Sequence, residues 1–238
     1  MKVLIFIHGG DSFTDDAQYL AFLQNGYISR YTFPWEDREK ADYRKEIARQ
    51  WQIQWGQIWY PQMPNKQNAR YRDWKIVFEG ILTQLHPEDV LTLVGGSLWG
   101  CFLLKYFADD MLISGLTRDP VNNHSMQKMR FLPSQEWPHQ LQIHQIHLIA
   151  SCIAEGDFNA PTNYQSLQSL GDRVHIWHAE DDPVVPFSVA KDLEKLLPDA
   201  QTHFFWSENG YGHFYGIERL PELTEILLKI ESERVIGS

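Results

Sequence analysis

The run Leu91-Thr92-Leu93-Val94-Gly95-Gly96-Ser97-Leu98-Trp99-Gly100 decides how the rest of the chain is read. Its first part, Val90–Val94, is apolar on both faces, as a parallel strand covered by helices on either side should be. Two glycines and a serine follow, and Leu98–Phe107 then takes a helical pattern. Strand, small residues, serine and helix in that order are the context of a nucleophile elbow. Such a turn holds the serine in a strained backbone with its hydroxyl exposed. The helix N-terminus adds partial positive charge and free N–H groups. Ser97 is the candidate nucleophile.

The usual elbow has glycine two residues after the serine. Here Trp99 stands at that position and glycine follows at Gly100. Trp99 is therefore expected either to line the acyl pocket, as a substrate-binding residue, or to distort the elbow.

The same strand-then-helix rhythm extends both ways. Further β-rich runs fall at Val3–Ile7, Gln57–Tyr60, Ile146–Ala150, Val174–His178 and His203–Trp206. Helical patterns lie between and after them, at Asp15–Gln24, Tyr71–Leu85, Ser188–Leu197 and Pro221–Ile230. Alternation of this kind predicts an α/β fold, a mostly parallel doubly wound sheet with helices on both faces. A length of 238 residues suits one such domain over 1–238. Two segments interrupt the rhythm. A charged stretch near 35–56, with Trp51 and Trp55 four apart, reads as an inserted amphipathic helix. The stretch near 116–142 reads with equal weight as a lid or as a plain surface excursion.

Two later loops complete a catalytic set. His178-Ala179-Glu180-Asp181-Asp182-Pro183-Val184-Val185-Pro186 follows the strand at Val174 and precedes a helix. Asp182 is the candidate acid there, and Asp181 suits a helix N-cap. Gly210-Tyr211-Gly212-His213-Phe214 follows the last strand and offers His213 as general base. The chain order Ser97, Asp182, His213 is the order this architecture requires. At the start of the chain, Ile7-His8-Gly9-Gly10 closes the first strand. It is expected to place Gly10 N–H beside Leu98 N–H as the oxyanion hole, with Gly9 against the substrate. His8 is read as holding this loop. All four motifs sit at C-terminal ends of expected strands, where an open α/β sheet carries its site.

Composition narrows the partners. The chain carries 21 Lys+Arg against 31 Asp+Glu, a net charge of −10. Such a surface repels phosphate backbones and anionic lipid, so a small-molecule substrate is expected, and neither nucleic acid nor a membrane. No stretch approaches the roughly 18 apolar residues of a membrane span. Val3–Ile7 is too short for a signal peptide and lacks a cleavage site. Cys101 and Cys152 are the only cysteines and read as packed thiols of a reducing, cytoplasmic setting. His144 and His147, three apart on one strand, are expected on opposite faces, so they share no metal. No metal site and no cofactor are implied.

Ile58-Trp59-Tyr60-Pro61-Gln62-Met63-Pro64-Asn65, followed by Tyr71-Arg72-Asp73-Trp74, resembles the small serine hydrolases related to retinoblastoma-binding protein nine. These share a P-x-M-P and a tryptophan in the helix that follows. The resemblance spans most of the chain in outline, apart from the charged segment. It implies an α/β-hydrolase fold and a triad carried by Ser97, Asp182 and His213, with no particular substrate. The expectation is a carboxylesterase-like hydrolase working through an acyl-enzyme. A thioesterase, a small-peptide hydrolase, or a catalytically weak binding protein on the same fold are the alternatives.

Overall fold

A computed structural model describes residues 1–25, 42–110 and 142–228. Most of the 116–142 segment and the first part of the charged 35–56 stretch lie outside the described residues. Among the described residues six strands form one parallel sheet: β1 (Lys2–Ile7), β2 (Gly56–Trp59), β3 (Val90–Gly96), β4 (Gln142–Ile149), β5 (Val174–Ala179) and β6 (Gln201–Phe205). They lie in the order β2-β1-β3-β4-β5-β6. The strand order reverses direction between β1 and β3, so their C-terminal ends open a crevice between the two halves of the sheet.

Among the described residues seven α-helices lie between and after them: α1 (Asp16–Asn25), α2 (Tyr43–Gln54), α3 (Tyr71–Leu82), α4 (Leu98–Lys105), α5 (Gln165–Gln168), α6 (Phe187–Leu196) and α7 (Pro221–Leu228). A π-helical turn, Tyr106–Asp110, extends α4. Each sheet face is buried against its own set of helices. Val3, Ile5, Leu91, Leu93, Ile146 and Ile176 pack with Trp74 and Phe78 of α3, Phe102 of α4 and Leu193 of α6. Leu4, Phe6, Val94, Ile149 and Trp177 pack with Ile47 and Trp51 of α2 and Leu223 and Leu227 of α7. Alternate residues of one strand thus enter opposite cores, which is the period of two expected of a strand buried on both sides.

The charged segment delivers a helix over its described part. Asp42 accepts from Arg44 N–H and caps α2, whose buried stripe is Tyr43, Ile47 and Trp51. Spacing of four puts those three on one face, and the charged residues are left facing outward. Trp55 ends the helix, and Lys2 Nζ sits 3.6 Å from its ring.

One expectation on β4 fails. The pairing of β3 with β4 runs Leu91↔Ile143 and then Thr92↔Gln145, so His144 is a bulged extra residue. A bulge shifts the phase by one. Ile143 and Ile146 then share a core, and His144 comes to the side of His147 and His175, within electrostatic reach of both. The opposite-face argument assumed an unbroken strand. Among the described residues, no group of three or more His, Cys, Asp or Glu side chains is placed to hold a metal ion.

Candidate active site

Ser97 is held at φ +54°, ψ −126°, immediately after β3 and before α4. A non-glycine residue in that region costs on the order of 1–3 kcal/mol and persists only where its surroundings enforce it. Here Ser97 N–H donates to Ile149 C=O at 2.8 Å, and Ser97 C=O accepts from Gly100 N–H at 2.9 Å. The strand beside it and the helix after it therefore both grip the turn.

Trp99 corrects the expectation made for it. Its side chain is fully buried, facing the core rather than the surface. The indole stacks on Phe102 at 4.4 Å and meets Phe78 edge-on at 5.2 Å, inside the core beneath α4. It lies over Gly95, where a Cβ would collide with Trp99 Cδ1. The elbow is not distorted by this bulk, because Gly95 supplies the space. Gly100 takes the close-packing position: a Cβ there would fall 2.6 Å from Ser151 Cβ. The glycine pattern is displaced by one residue and the strand still passes.

Gly9 lies directly against the serine. A Cβ on Gly9 would sit 2.8 Å from Ser97 Cβ and 3.4 Å from Ser97 Oγ. A Cβ on Gly10 would sit 2.6 Å from Lys66 C=O. Neither position tolerates a side chain, so bare backbone faces Ser97. His8 anchors this loop from below. Its Nδ1–H donates to Gly9 C=O at 2.7 Å, and its Nε2 accepts from Met63 N–H at 3.1 Å. The second bond fixes the neutral tautomer. Burial lowers the pKa of His8 in the same direction. The P-x-M-P run acquires a physical role as well, because Trp74 Nε1–H donates to Pro64 C=O at 2.8 Å. Among the described residues, no protein acceptor takes the N–H of Gly10 or of Leu98.

Asp182 and His213 are joined. His213 Nδ1 lies 2.8 Å from Asp182 Oδ2 and 3.0 Å from Oδ1. Asp182 Oδ1 also accepts from Val184 N–H at 2.7 Å and Val185 N–H at 3.0 Å. Burial alone would raise the Asp182 pKa. The bonds from His213, Val185 and Val184 outweigh it, and the carboxyl is held below its ordinary value. A carboxylate acceptor on Nδ1 leaves the other ring nitrogen, Nε2, facing away as the free one.

Two supporting residues have tasks that the sequence did not assign, and Asp181 is not the helix cap expected of it, since α6 is preceded by Pro186 at that position. Asp181 accepts from Gly212 N–H at 3.1 Å, tying the acid loop to the residue before His213. His178 is fully buried, donates to Val185 C=O at 2.9 Å and lies 3.6 Å from Asp182 Oδ2. Burial lowers its pKa against the pull of those two neighbours, so it braces the acid loop as a neutral ring. Their nearness to Asp182 in sequence was the available signal. Phe214, at φ +54° and buried, pins the other flank of His213.

Ser97, Gly9 and Gly10 are thus brought together at the ends of β3 and β1, and Asp182 with His213 at the ends of β5 and β6. Ser97 Oγ and His213 share no hydrogen bond.

No family model and no curated protein matches the sequence. Solved structures do match in shape. The ydeN gene product from B. subtilis superposes with a TM-score of 0.62 at 17% identity, over 96% of this chain and 98% of that one. MenH from S. aureus gives a TM-score of 0.51 at 11% identity, over 96% of this chain and 92% of that one. A protein from Xanthomonas campestris described as an a/b serine hydrolase without lid gives 0.47 at 14% identity, over 95% and 79%. The fold is the α/β-hydrolase fold. The narrower likeness to the hydrolases related to retinoblastoma-binding protein nine is not among these matches. No helix among the described residues is long and apolar enough to cross a membrane.

Proposed function

We propose that the protein is a serine hydrolase that cleaves small esters through an acyl-enzyme. The observation that carries this reading is the buried Asp182 carboxylate bonded to His213 Nδ1, on the same sheet edge as a serine held in a strained turn. His213 Nε2 takes the proton of Ser97 Oγ as the hydroxyl attacks the ester carbonyl. Asp182 holds the ring and stabilises the imidazolium. The carbonyl oxygen becomes an oxyanion held by Gly10 N–H and Leu98 N–H, each worth about 3 kcal/mol of barrier. His213 returns the proton to the leaving alcohol. Water, deprotonated by the same nitrogen, then releases the acid. The resemblance noted around Met63 and Trp74 supports the same assignment, as does the short reach from Gly9 to Ser97. The chemistry is common to thioesters and small peptides.

A second reading, a weakly catalytic binding protein on this fold, is favoured by one observation: Ser97 and His213 are not hydrogen-bonded. Apo sites often tighten only with substrate, so the geometry leaves the first reading ahead. A fluorophosphonate probe followed by peptide mapping separates the two. Labelling at Ser97 is expected, lost in Ser97→Ala and strongly slowed in His213→Ala. A folded protein that remains unlabelled would install the binding reading instead.

A further inference from the structure

The chain holds two cysteines, far apart in sequence, and the fold brings them together beside the nucleophile turn. Cys101 lies in the first turn of α4, and Cys152 in the loop that follows β4. Both are free thiols and both are buried. Cys101 S–H donates to Phe158 C=O at 3.7 Å, and Cys152 S–H donates to Glu155 Oε2 at 3.6 Å. Glu155 and Phe158 in turn exchange two backbone hydrogen bonds, at 3.0 and 2.9 Å. The two sulfurs thus close on one short turn, within hydrogen-bonding reach of each other. The neighbouring Cys101 and burial hold the Cys152 pKa well above the usual thiol value. Cys152 therefore rests protonated, with Glu155 Oε2 placed to receive its proton.

Both cysteines are tied to Ser97 through backbone. Cys101 N–H donates to Ser97 C=O at 3.4 Å, and Ser97 N–H donates to Ile149 C=O at 2.8 Å. The two chain segments that meet here each carry a non-glycine residue at positive φ, Ser97 at +54° and Ala150 at +47°. Cys101 stands one helical turn beyond the first, and Cys152 two residues beyond the second. Between them Gly100 is packed on Ser151, where an added Cβ would fall 2.6 Å from Ser151 Cβ. A disulfide has an S–S length of about 2.05 Å, shorter than any contact between two thiols. Forming one here draws two strained segments together across a contact without slack, and the displacement falls on the turn that holds Ser97.

We propose that Cys101 and Cys152 form a reversible thiol–disulfide switch on the nucleophile turn, closed by a small peroxide and reopened by a dithiol. Cys152 is the more exposed of the two and reacts first. Its sulfur attacks one peroxide oxygen, the O–O bond breaks, and the released hydroxide leaves as water with the thiol proton carried by Glu155. Cys101 Sγ then attacks the sulfenic acid at Cys152. The S–S bond forms, the S–O bond breaks, and a second water leaves with the Cys101 proton. Two thiols are oxidised to one disulfide, and one peroxide is reduced to two waters. The effect on Ser97 reactivity rests on the hydrolase reading, whereas the crosslink itself does not.

The full chain is treated with hydrogen peroxide and digested without reductant. Oxidation of the exposed Met1 to its sulfoxide shows that enough oxidant was present. A peptide crosslinked through Cys101 and Cys152 is expected, lost on adding dithiothreitol and absent from Cys152→Ser. Fluorophosphonate labelling of Ser97 should slow by about tenfold or more in the oxidised protein, the scale of a misplaced reacting group, and should recover with dithiothreitol. Amide hydrogen exchange across residues 97–100 should quicken on oxidation. A thermal melt confirms that Cys152→Ser folds, and Cys101→Ala replaces it if it does not. Met1 sulfoxide without the crosslink overturns the pairing. A crosslink that leaves labelling unchanged overturns the switch, as does a slowing that persists in Cys152→Ser or resists dithiothreitol. Untreated protein that does not label at Ser97 overturns the hydrolase reading alone. The exchange rates then decide the switch, and rates unchanged by the crosslink overturn it.

Discussion

Trp99 and the glycines around it show what a single side chain can settle. Its ring occupies the volume that a larger residue 95 would need, and Gly100 lets α4 approach Ser151. Gly95→Ala should therefore destabilise the protein by about 1–3 kcal/mol through overpacking. Trp99→Ala should cost about 3–5 kcal/mol through the cavity it leaves. The double variant should be less destabilised than the sum, because the clash disappears with the ring. Urea titrations of the three proteins measure this, and strict additivity would contradict the packing. Asp182 supplies the functional counterpart. Asp182→Asn keeps the shape but turns a carboxylate into an amide, which no longer fixes the His213 tautomer. Labelling of Ser97 should slow by several orders of magnitude, by analogy with the about 10⁴-fold loss in a protease triad. A rate within tenfold of wild type would remove Asp182 from the mechanism.

Among the strands, the three that end the sheet carry an aromatic ladder with an acid-sensitive consequence. His147 stacks on His175 at 4.4 Å, and His203 stacks on Trp177 at 3.8 Å. Trp177 Nε1–H donates to His147 Nδ1 at 3.1 Å, and His175 Nδ1 meets His203 Nε2 at 3.1 Å. Burial lowers the pKa of His175 to about 4, helped by the neighbouring histidines, and that of His203 to about 4. Burial pushes His147 well below its ordinary value. These rings are neutral in the folded state, whereas the unfolded chain takes up protons below about pH 6.5. Their contribution to stability is complete above about pH 6.5 and is lost as pH falls from there towards 4. The urea midpoint should drop steadily between pH 7 and 4.5, and His203→Phe should flatten that slope. A midpoint constant from pH 7 to 5 would mean that these rings are not buried neutral.

The molecule as one piece is a single sheet with a core on each face and a site at one edge. The candidate residues come from β1, β3, β5 and β6, so no half of the sheet assembles them alone. Tryptophan fluorescence and fluorophosphonate labelling should accordingly disappear together in urea, with coincident midpoints. Labelling lost at clearly lower urea would show that β5 and β6 detach before the rest.

Much of this could be read without coordinates. All six strands and the elbow are local signals: short apolar runs bounded by turn residues, with glycine closing the first and third, and a serine at the change of period from strand to helix. The order Ser97, Asp182, His213 followed from the same punctuation. Other features depend on residues far apart in the chain. Trp99 could be given a position but not a direction, because whether it faces a pocket or the core depends on Phe78, Phe102 and the empty space over Gly95. His144 changes face through a bulge that exists only in its pairing with β3. Asp181 and His178 acquire their tasks from the way two loops meet. Short-range periodicity and turn chemistry are properties of neighbours in sequence, and they set the elements and the candidate residues. Side-chain direction and register are set by what packs across the sheet, and those awaited the fold.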